Sequence, residues 1–250
     1  PSYAEDGTRL FGQVETDGVL VPDVDKTATE FDQRTVDNNF AAVYFPDVFV
    51  EDAGYEVPNS SRLAKVPSSV VAFGALAKND TISAPWFAPA GFNRGGLERV
   101  QSTVVRLNSE DRDTLYEVRI NPIANFPNKQ FVIFGQKTSQ LARTALDRVN
   151  VRRLVLEVKR RIEIIAQGLL FEQNNSETRS RFIQSSASQL ASIQINQGIE
   201  DFRVVMDDTN NTAEDVDNNR LNGKVIIVPT RAVEFIAIDF VITNAGVEFP

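Results

Sequence analysis

The chain has 250 residues, of which 42% are hydrophobic, enough to bury one large core or two modest ones. It contains no cysteine and no histidine, which excludes disulfides and thiolate nucleophiles and removes the commonest neutral-pH base and metal ligand. The net charge of -8 argues against a general nucleic-acid binder, because such a protein needs a basic face to displace counterions from phosphates.

The chain shows no sign of a membrane or secretion segment. No apolar run approaches the roughly 20 residues that a membrane helix needs, so no membrane partner is expected. Residues 1–6 lack the basic and apolar regions of a signal peptide. The chain is therefore expected to be soluble and made in the cytosol. Its start at Pro1 without methionine suggests an excised piece of a longer protein.

The N-terminal elements begin with residues 1–36, which are rich in Asp, Glu and Thr and are predicted to form an acidic peripheral segment. Residues 40–45 predict a buried strand that ends at Pro46, because proline cannot donate to a sheet ladder. Residues 66–77 predict a helix that residues 79–80 end. Its apolar side chains at helical spacing are Val70, Phe73 and Ala77.

The middle of the chain is predicted to be less regular. Residues 84–96 combine Trp86 and Phe87 with two prolines and three glycines, which indicates an irregular loop around aromatic packing residues. Short strands are predicted at 104–107, 115–120 and 131–134. The paired acids of this part, such as Glu110 with Asp111, are expected in turns or at strand edges, facing water.

The clearest predicted helix runs through residues 150–169, where apolar residues recur every three or four positions. Its apolar stripe comprises Val151, Leu154, Val155, Val158, Ile162, Ile165, Ala166 and Leu169. Two asparagines at 174–175 break it, and Ser176 is predicted to cap a second, surface helix that reaches about residue 192 and buries Phe182, Leu190 and Ile193. Strands predicted at 202–206, 224–228 and 233–242 complete an antiparallel sheet with helices on one face.

A basic stripe lies on the first of these helices. Between Lys137 and Arg161 eight basic residues stand against two acidic ones, while the rest of the chain is strongly acidic. The pattern fits self-assembly through complementary patches, and it equally fits a solvated helix face. The residues of the basic stripe are Arg152, Arg153, Lys159, Arg160 and Arg161.

Each motif that could form a chemical site lacks residues that its chemistry requires. The acidic loops 207–211 and 215–219 resemble calcium loops but lack the glycine and glutamate that turn and close such a site. Residues 91–96 are glycine-rich but lack the Gly-Lys-Ser/Thr ending of a phosphate cradle. We therefore predict no catalytic residue, no metal site and no cofactor, and an assembly surface rather than an active site.

Several sequence blocks occur in one order: AAVYFP at 41–46, a helix led by VPS at 66–68, APWFAPAG at 84–91, INPI at 120–123, FGQKT at 134–138 and NVRRL at 150–154. Together with the acidic 207–208 region and the closing GVEF at 246–249, they make the chain resemble contractile phage tail sheath proteins over roughly residues 40–250. Family members are longer, with an upstream arm and further domain material.

The resemblance implies an α+β or α/β fold in which helices flank mixed β-sheets. It leaves the acidic peripheral segment at 1–36 unassigned and divides the rest of the chain into a partial sheath α/β domain at 37–145, whose upstream part is missing, and a C-terminal sheath domain at 146–250. The last is expected to hold an antiparallel or mixed sheet plus two helices. A non-enzymatic receptor- or sugar-binding module of the virion is the alternative class.

The resemblance also implies a function and partners. A sheath subunit is a non-enzymatic structural protein that polymerises helically around the tail tube and contracts to drive the tube through the host envelope. Its implied partners are further copies, joined by terminal strand exchange, the tail tube protein, and the baseplate and tail terminator proteins. The implied location is the virion tail, with assembly in the host cytoplasm.

Two surfaces are hypothesised from the charge pattern and the resemblance. The basic stripe is expected to meet an acidic patch of a neighbouring subunit that comprises Asp207, Asp208, Asp215 and Asp217. Arg179 and Arg181, on the second helix, are expected to face an acidic wall of the tube.

Overall fold

The computed structural model describes residues 13–16, 19–51, 63–127 and 129–235. Its strands are β1 (Gln13–Thr16), β2 (Val19–Pro22), β3 (Val43–Phe45), β4 (Val48–Glu51), β5 (Leu63–Val66), β6 (Val100–Thr103), β7 (Ile120–Asn125), β8 (Phe131–Ile133), β9 (Ile199–Val205) and β10 (Lys224–Pro229). Its helices are α1 (Val24–Gln33), α2 (Ser68–Ile82), α3 (Gly91–Arg94), α4 (Ser109–Glu117), α5 (Val149–Gln167), α6 (Ser176–Ile195) and α7 (Ala213–Asp217), with a 3-10 turn at Ala145–Asp147.

The N-terminal half is built on two three-stranded sheets. In one, β7 lies between a parallel partner, β3, and an antiparallel partner, β8. In the other, β4 lies between the antiparallel strands β5 and β6. The α+β class with mixed and antiparallel sheets is thereby confirmed.

A buried asparagine holds the centre of the mixed sheet. Asn121 is fully buried, and its amide nitrogen donates to the carbonyl oxygens of Val43, at 3.0 Å, and Lys137, at 2.8 Å. Its side-chain oxygen accepts from the Lys137 backbone nitrogen at 2.6 Å. Gly135 is required beside it, because a Cβ there would lie 2.9 Å from the Asn121 oxygen and from the Tyr116 ring. The buried amide therefore finds partners on both sides of the strand.

The C-terminal part packs α5 and α6 against the two-stranded antiparallel sheet of β9 and β10. Its core contains Leu154, Leu190 and Ile193 among its buried side chains. The apolar face predicted for α6 is thereby confirmed, and that of α5 is confirmed as far as Val158, beyond which its residues are only partly buried or, at Ala166, exposed. Asn175 rather than Ser176 caps α6, because the Asn175 side chain accepts from the Thr178 backbone nitrogen.

Trp86 connects the two halves. It follows α2 in the chain, yet its ring packs in the core formed by α5, α6 and β9. The indole nitrogen donates to the Asn196 carbonyl oxygen at 2.9 Å, and the Asn150 side chain donates to the Trp86 carbonyl oxygen at 3.2 Å. A Cβ at Gly198 would lie 3.1 Å from the indole, so the turn after α6 leaves room for the ring. The prediction that Trp86 is a packing residue is confirmed.

The prediction for α2 is partly wrong. The helix continues to Ile82, and its buried face consists of Ser68, Ala72, Ala75 and Asn79. The residues predicted to define its apolar face, Val70 and Phe73, are 54% and 70% exposed. Small residues are buried because the helix lies close to β3, where the Ser68 hydroxyl donates to the Tyr44 carbonyl oxygen at 2.7 Å.

Asn79 continues α2 instead of ending it. Its side-chain amide donates to the carbonyl oxygens of Ala84, at 3.2 Å, and Phe87, at 3.3 Å. The asparagine is fully buried and fastens the following loop to the helix.

The strand predicted at 115–120 is wrong, because Leu115 lies in α4 and the strand β7 begins only at Ile120. The helix forms because Asn108 and Asp111 make a capping box, in which each side chain accepts from the other residue's backbone nitrogen. The strand predicted at 104–107 lies four residues earlier, as β6. The 131–134 strand is confirmed as β8, whereas the 233–242 strand lies largely outside the described residues.

The segment predicted to be peripheral contains α1, which packs on the rest of the chain. Phe31 is buried beside Leu115 and Ile120, and the Arg119 guanidinium donates to the Asp32 carboxylate at 3.0 Å. Apolar residues within this acidic stretch explain the difference. The boundaries after residues 36 and 145 stay predictions.

Two leucines on α5 test the packing of the C-terminal core. Leu154 is 0% exposed and Leu156 is 46% exposed. We expect Leu154→Ala to lower the free energy of unfolding by about 2–5 kcal/mol, because it leaves a cavity. Leu156→Ala is the matched control, with an expected loss below about 1 kcal/mol. Chemical denaturation measures both, and equal losses would contradict this packing.

Candidate assembly surface

The basic stripe of α5 is divided into an inner and an outer part. In the inner part, Arg152 places its guanidinium 3.4 Å from the centre of the Phe40 ring, a cation–π contact. Arg153 donates to the Asp80 carboxylate near the end of α2. These two residues therefore tie α5 to the N-terminal half of the same chain.

The centre of the stripe is a carboxylate shared by two arginines. Glu157 accepts from Arg160 through two bonds of 2.9 and 2.8 Å and from Arg161 at 2.7 Å. The hydrogen bond from Arg160 is the largest cause that lowers the pKa of Glu157, to about 2, and Arg161 adds to it while burial opposes it. Glu157, Arg160 and Arg161 thus form a cluster within one helix.

The outer part of the stripe remains open to solvent. Lys159 is 69% exposed and lies 3.5 Å from Glu163, one helical turn away. Arg160 is 61% exposed even though it contacts Glu157. An exposed pair such as Lys159 with Glu163 contributes about 0–1 kcal/mol, so Lys159 can exchange partners at little cost, whereas Arg160 is held by two hydrogen bonds to Glu157.

The acidic patch is also largely engaged within the chain. Asp207 accepts from the Thr209 backbone nitrogen at 2.8 Å, and Asp215 caps α7 by accepting from the Thr212 backbone nitrogen at 2.9 Å. Asp217, at the end of α7, is exposed. No group of three or more acidic side chains in the described ranges is arranged to hold a metal ion.

Two residues assigned to different surfaces bind each other. Arg179, expected to face the tube, donates to Asp208, expected in the acidic patch, at 2.6 Å. The Arg179 side chain is only 12% exposed, whereas Asp208 is 96% exposed. Arg181 lies 3.1 Å from Glu172, and both side chains are about half exposed. Arg181 is thus the more accessible of the two arginines on α6.

An ion pair that the sequence analysis missed fixes the chain after β10. Arg148, at the start of α5, donates two bonds to Glu234, at 2.7 and 3.0 Å, and Gln136 donates a third at 3.2 Å. Burial raises the pKa of the neighbouring Tyr116, and Glu234 adds to the rise. Burial, followed by the charge of Arg148, lowers the pKa of Lys137. No sequence spacing links Arg148 with Glu234, 86 positions away.

The geometry matches that of known sheath proteins. Residues 142–243 match the phage tail sheath C-terminal domain. The chain is 37% identical over 221 residues to the tail sheath protein of Vibrio phage KVP40, covering 87% of this chain and 32% of that protein. It is 36% identical over 184 residues to the tail sheath protein of Enterobacteria phage T4, covering 74% and 28%. The chain thus spans about a third of the length of these relatives.

Solved structures of contractile sheaths share the fold of this chain. The sheath complex of the PVC extracellular contractile injection system in its contracted state has a TM-score of 0.74 at 26% identity, over 86% of this chain and 59% of that chain. The contracted helical sheath of the anti-feeding prophage has a TM-score of 0.67 at 25% identity, over 80% and 55%.

The fold and the matches to known proteins place this chain in the class of contractile sheath proteins. Within that class the chain belongs with the phage tail sheath proteins, whose C-terminal domain residues 142–243 match. The resemblance drawn from the sequence blocks is confirmed. In the described part of the chain, no helix has the length and apolarity to cross a membrane.

The Glu157 cluster predicts a stability change in acid. The pKa of Glu157 is lowered from 4.5 to about 2, so its stabilising effect is complete above about pH 4.5 and is lost as the pH falls towards 2. We expect Glu157→Gln to be about 1–2 kcal/mol less stable than the parent at pH 7 and to converge with it near pH 2. Urea titrations across this window measure the difference.

The matched control for the acid titration is Glu163→Gln, which removes an exposed carboxylate on the same helix. Its expected effect is below about 1 kcal/mol at every pH. A constant difference between Glu157→Gln and the parent from pH 7 to pH 2 would show that the cluster is not formed as described.

The Arg148–Glu234 pair predicts a second stability difference. Glu234→Ala leaves a half-buried guanidinium without its carboxylate, and we expect a loss of about 1–3 kcal/mol in the free energy of unfolding. Glu172→Ala removes the partner of Arg181 on the surface and should cost less than about 1 kcal/mol. Thermal and urea unfolding compare the two, and equal effects would contradict the buried role of Glu234.

Proposed function

We propose that this chain is part of a structural, non-enzymatic subunit of a contractile phage tail sheath. The subunit polymerises helically around the tail tube and contracts to drive the tube through the host envelope. The observation that carries the proposal is the 37% identity to a tail sheath protein over 87% of the chain. Likeness to two contracted sheaths supports it.

The fold suits a subunit that moves as a body between two lattices. Trp86 and Asn150 join the halves by packing and hydrogen bonds, so rotation of a subunit need not separate them. In such a mechanism the driving energy lies in contacts between subunits that are better satisfied after contraction, and no nucleotide is consumed. An open helix also requires that different patches of each subunit meet.

The proposed partners follow from this role. They are further copies of the subunit, joined by exchange of terminal strands, the tail tube protein, and the baseplate and tail terminator proteins. The proposed location is the virion tail, after assembly in the host cytoplasm. The related tail sheath proteins and the contracted sheath assemblies that share the fold support further copies as partners and the virion tail as the location.

Within this function, the open part of the basic stripe is the proposed contact with a neighbouring subunit. Lys159 and Arg160 are both exposed; Glu163 binds Lys159 weakly, and Arg160 keeps most of its side chain in solvent beside Glu157. Asp217 is the candidate in the acidic patch, because Asp208, although exposed, binds Arg179 of its own chain. Arg181 is the proposed tube-facing cation, because Arg179 is largely covered by its own contacts.

Charge reversal tests the subunit contact. In the full-length protein that carries this chain, we expect Lys159→Glu with Arg160→Glu to abolish tube formation in electron micrographs and to lower the free energy of unfolding by about 1–2 kcal/mol, as for Glu157→Gln. Adding Asp217→Lys should restore tubes if that residue is the partner. The matched control reverses two exposed arginines of the N-terminal half, Arg99 and Arg106.

The outcomes separate the two levels of the proposal. Absence of tubes from the unmodified protein, alone and with tube protein, would contradict the sheath function. Normal tubes from the Lys159 and Arg160 double variant would contradict only the assignment of this contact.

A further inference from the structure

The turn after α5 presents an aromatic side chain entirely to solvent. Phe171 is fully exposed, and its neighbour Leu170 is two-thirds exposed. The backbone of Phe171 has φ 68°, a left-handed conformation that glycine or asparagine adopts far more readily. Within the isolated chain, both the exposed apolar ring and the left-handed backbone are unfavourable for a phenylalanine. This combination points to a contact of the ring with another molecule.

A cavity of 510 Å³ lies at the other end of α5. Its walls include the aromatic rings of Phe87 and Phe134, and its rim carries Arg94, Arg112 and Asp113. The Arg94 guanidinium lies 5.1 Å from the Phe87 ring, and that of Arg112 lies 4.8 Å from the Phe126 ring. Arg94 donates to the Ala88 carbonyl oxygen at 3.0 Å and Arg112 to the Ser109 hydroxyl at 3.3 Å, and among the described residues neither has a carboxylate partner.

The exposed ring and the cavity cannot meet within one molecule. Asn150, in the first turn of α5, lines the cavity, whereas Phe171 follows the last turn. A helix of 19 residues is about 28 Å long, so the helix itself holds the two apart. Any contact between them joins two copies.

We infer that Phe171 of one copy inserts its ring into this cavity of the next copy, with Glu172 beside Arg94 and Arg112. An apolar ring would leave water for aromatic walls, and an acidic side chain would meet two arginines that have no carboxylate partner among the described residues. Glu172 can leave Arg181, because that pair is exposed and weak. The inference rests on the proposed sheath function, for which it names one subunit contact.

The geometry of this contact agrees with helical growth. The inserted ring and the receiving cavity are different surfaces of the same chain, so each copy that docks offers a new ring and leaves a cavity open. Such a contact propagates and does not close into a two-fold dimer.

Disulfide trapping tests the contact directly, because residues 1–250 contain no cysteine. Full-length proteins carrying Phe171→Cys or Ala88→Cys, with any cysteine outside this chain replaced by serine, are mixed, assembled and mildly oxidised. Ala88 lines the cavity. We expect disulfide-linked dimers of the two variants at about tenfold the yield of a control mixture in which Phe73→Cys, another exposed phenylalanine, replaces Phe171→Cys. Equal yields would overturn the inference.

Two further variants distinguish a contact from a purely structural role. Phe171→Gly relieves the left-handed conformation, so we expect an unchanged or higher unfolding temperature together with loss of tubes. Glu172→Arg and Arg112→Glu should each weaken tube formation, and their combination should restore it. Normal tubes from Phe171→Gly, or no recovery in the charge exchange, would overturn the contact.

The unmodified protein shows which proposal fails. If it forms tubes while the trapping and exchange experiments fail, only this contact is wrong. If it forms no tubes, the sheath function is overturned, and the contact is overturned with it.

Discussion

The packing of Trp86 between α5, α6 and β9 is the constraint on which the rest of the structure depends. Through it, a loop of the N-terminal half becomes part of the C-terminal core, and Asn150 hydrogen-bonds the same loop from the start of α5. Once this joint is formed, the direction of α5 is set relative to both halves. The positions of the basic stripe, the aromatic cavity and the exposed turn at its far end all follow from that direction.

Electrostatics on α5 serves two purposes that its sequence does not distinguish. Arg152 and Arg153 contact the N-terminal half, and Glu157 collects two more arginines, so most of the stripe stabilises the subunit itself. The proposed contact with a neighbour would use Lys159 and the solvent-facing side of Arg160. A subunit that must keep its shape while its surroundings rearrange needs both kinds of charge, internal ones that stay paired and external ones that exchange.

The sequence predicted helices and strands well where a single local pattern determines them. It predicted buried faces and ion pairs poorly where contacts between distant parts of the chain determine them. The long periodic stripe from Val151 onwards predicted α5 because its apolar residues recur at helical spacing along the whole helix, although full burial ends at Val158. The face of α2 was predicted wrongly, because close approach to β3 favours alanine and serine over valine and phenylalanine. Arg153 and Asp80 are 73 positions apart, and no local pattern announces a pair that only the fold brings together.

The place of Trp86 has an optical consequence. It is the only tryptophan of residues 1–250, and it lies at the joint between the two halves, shielded from water and close to the Arg161 guanidinium. With any tryptophan outside residues 1–250 replaced by phenylalanine, its fluorescence spectrum reports on that joint without any introduced label. A sheath whose subunits turn as rigid bodies would keep the emission colour constant through contraction, whereas a subunit that opened at the joint would shift it to the red.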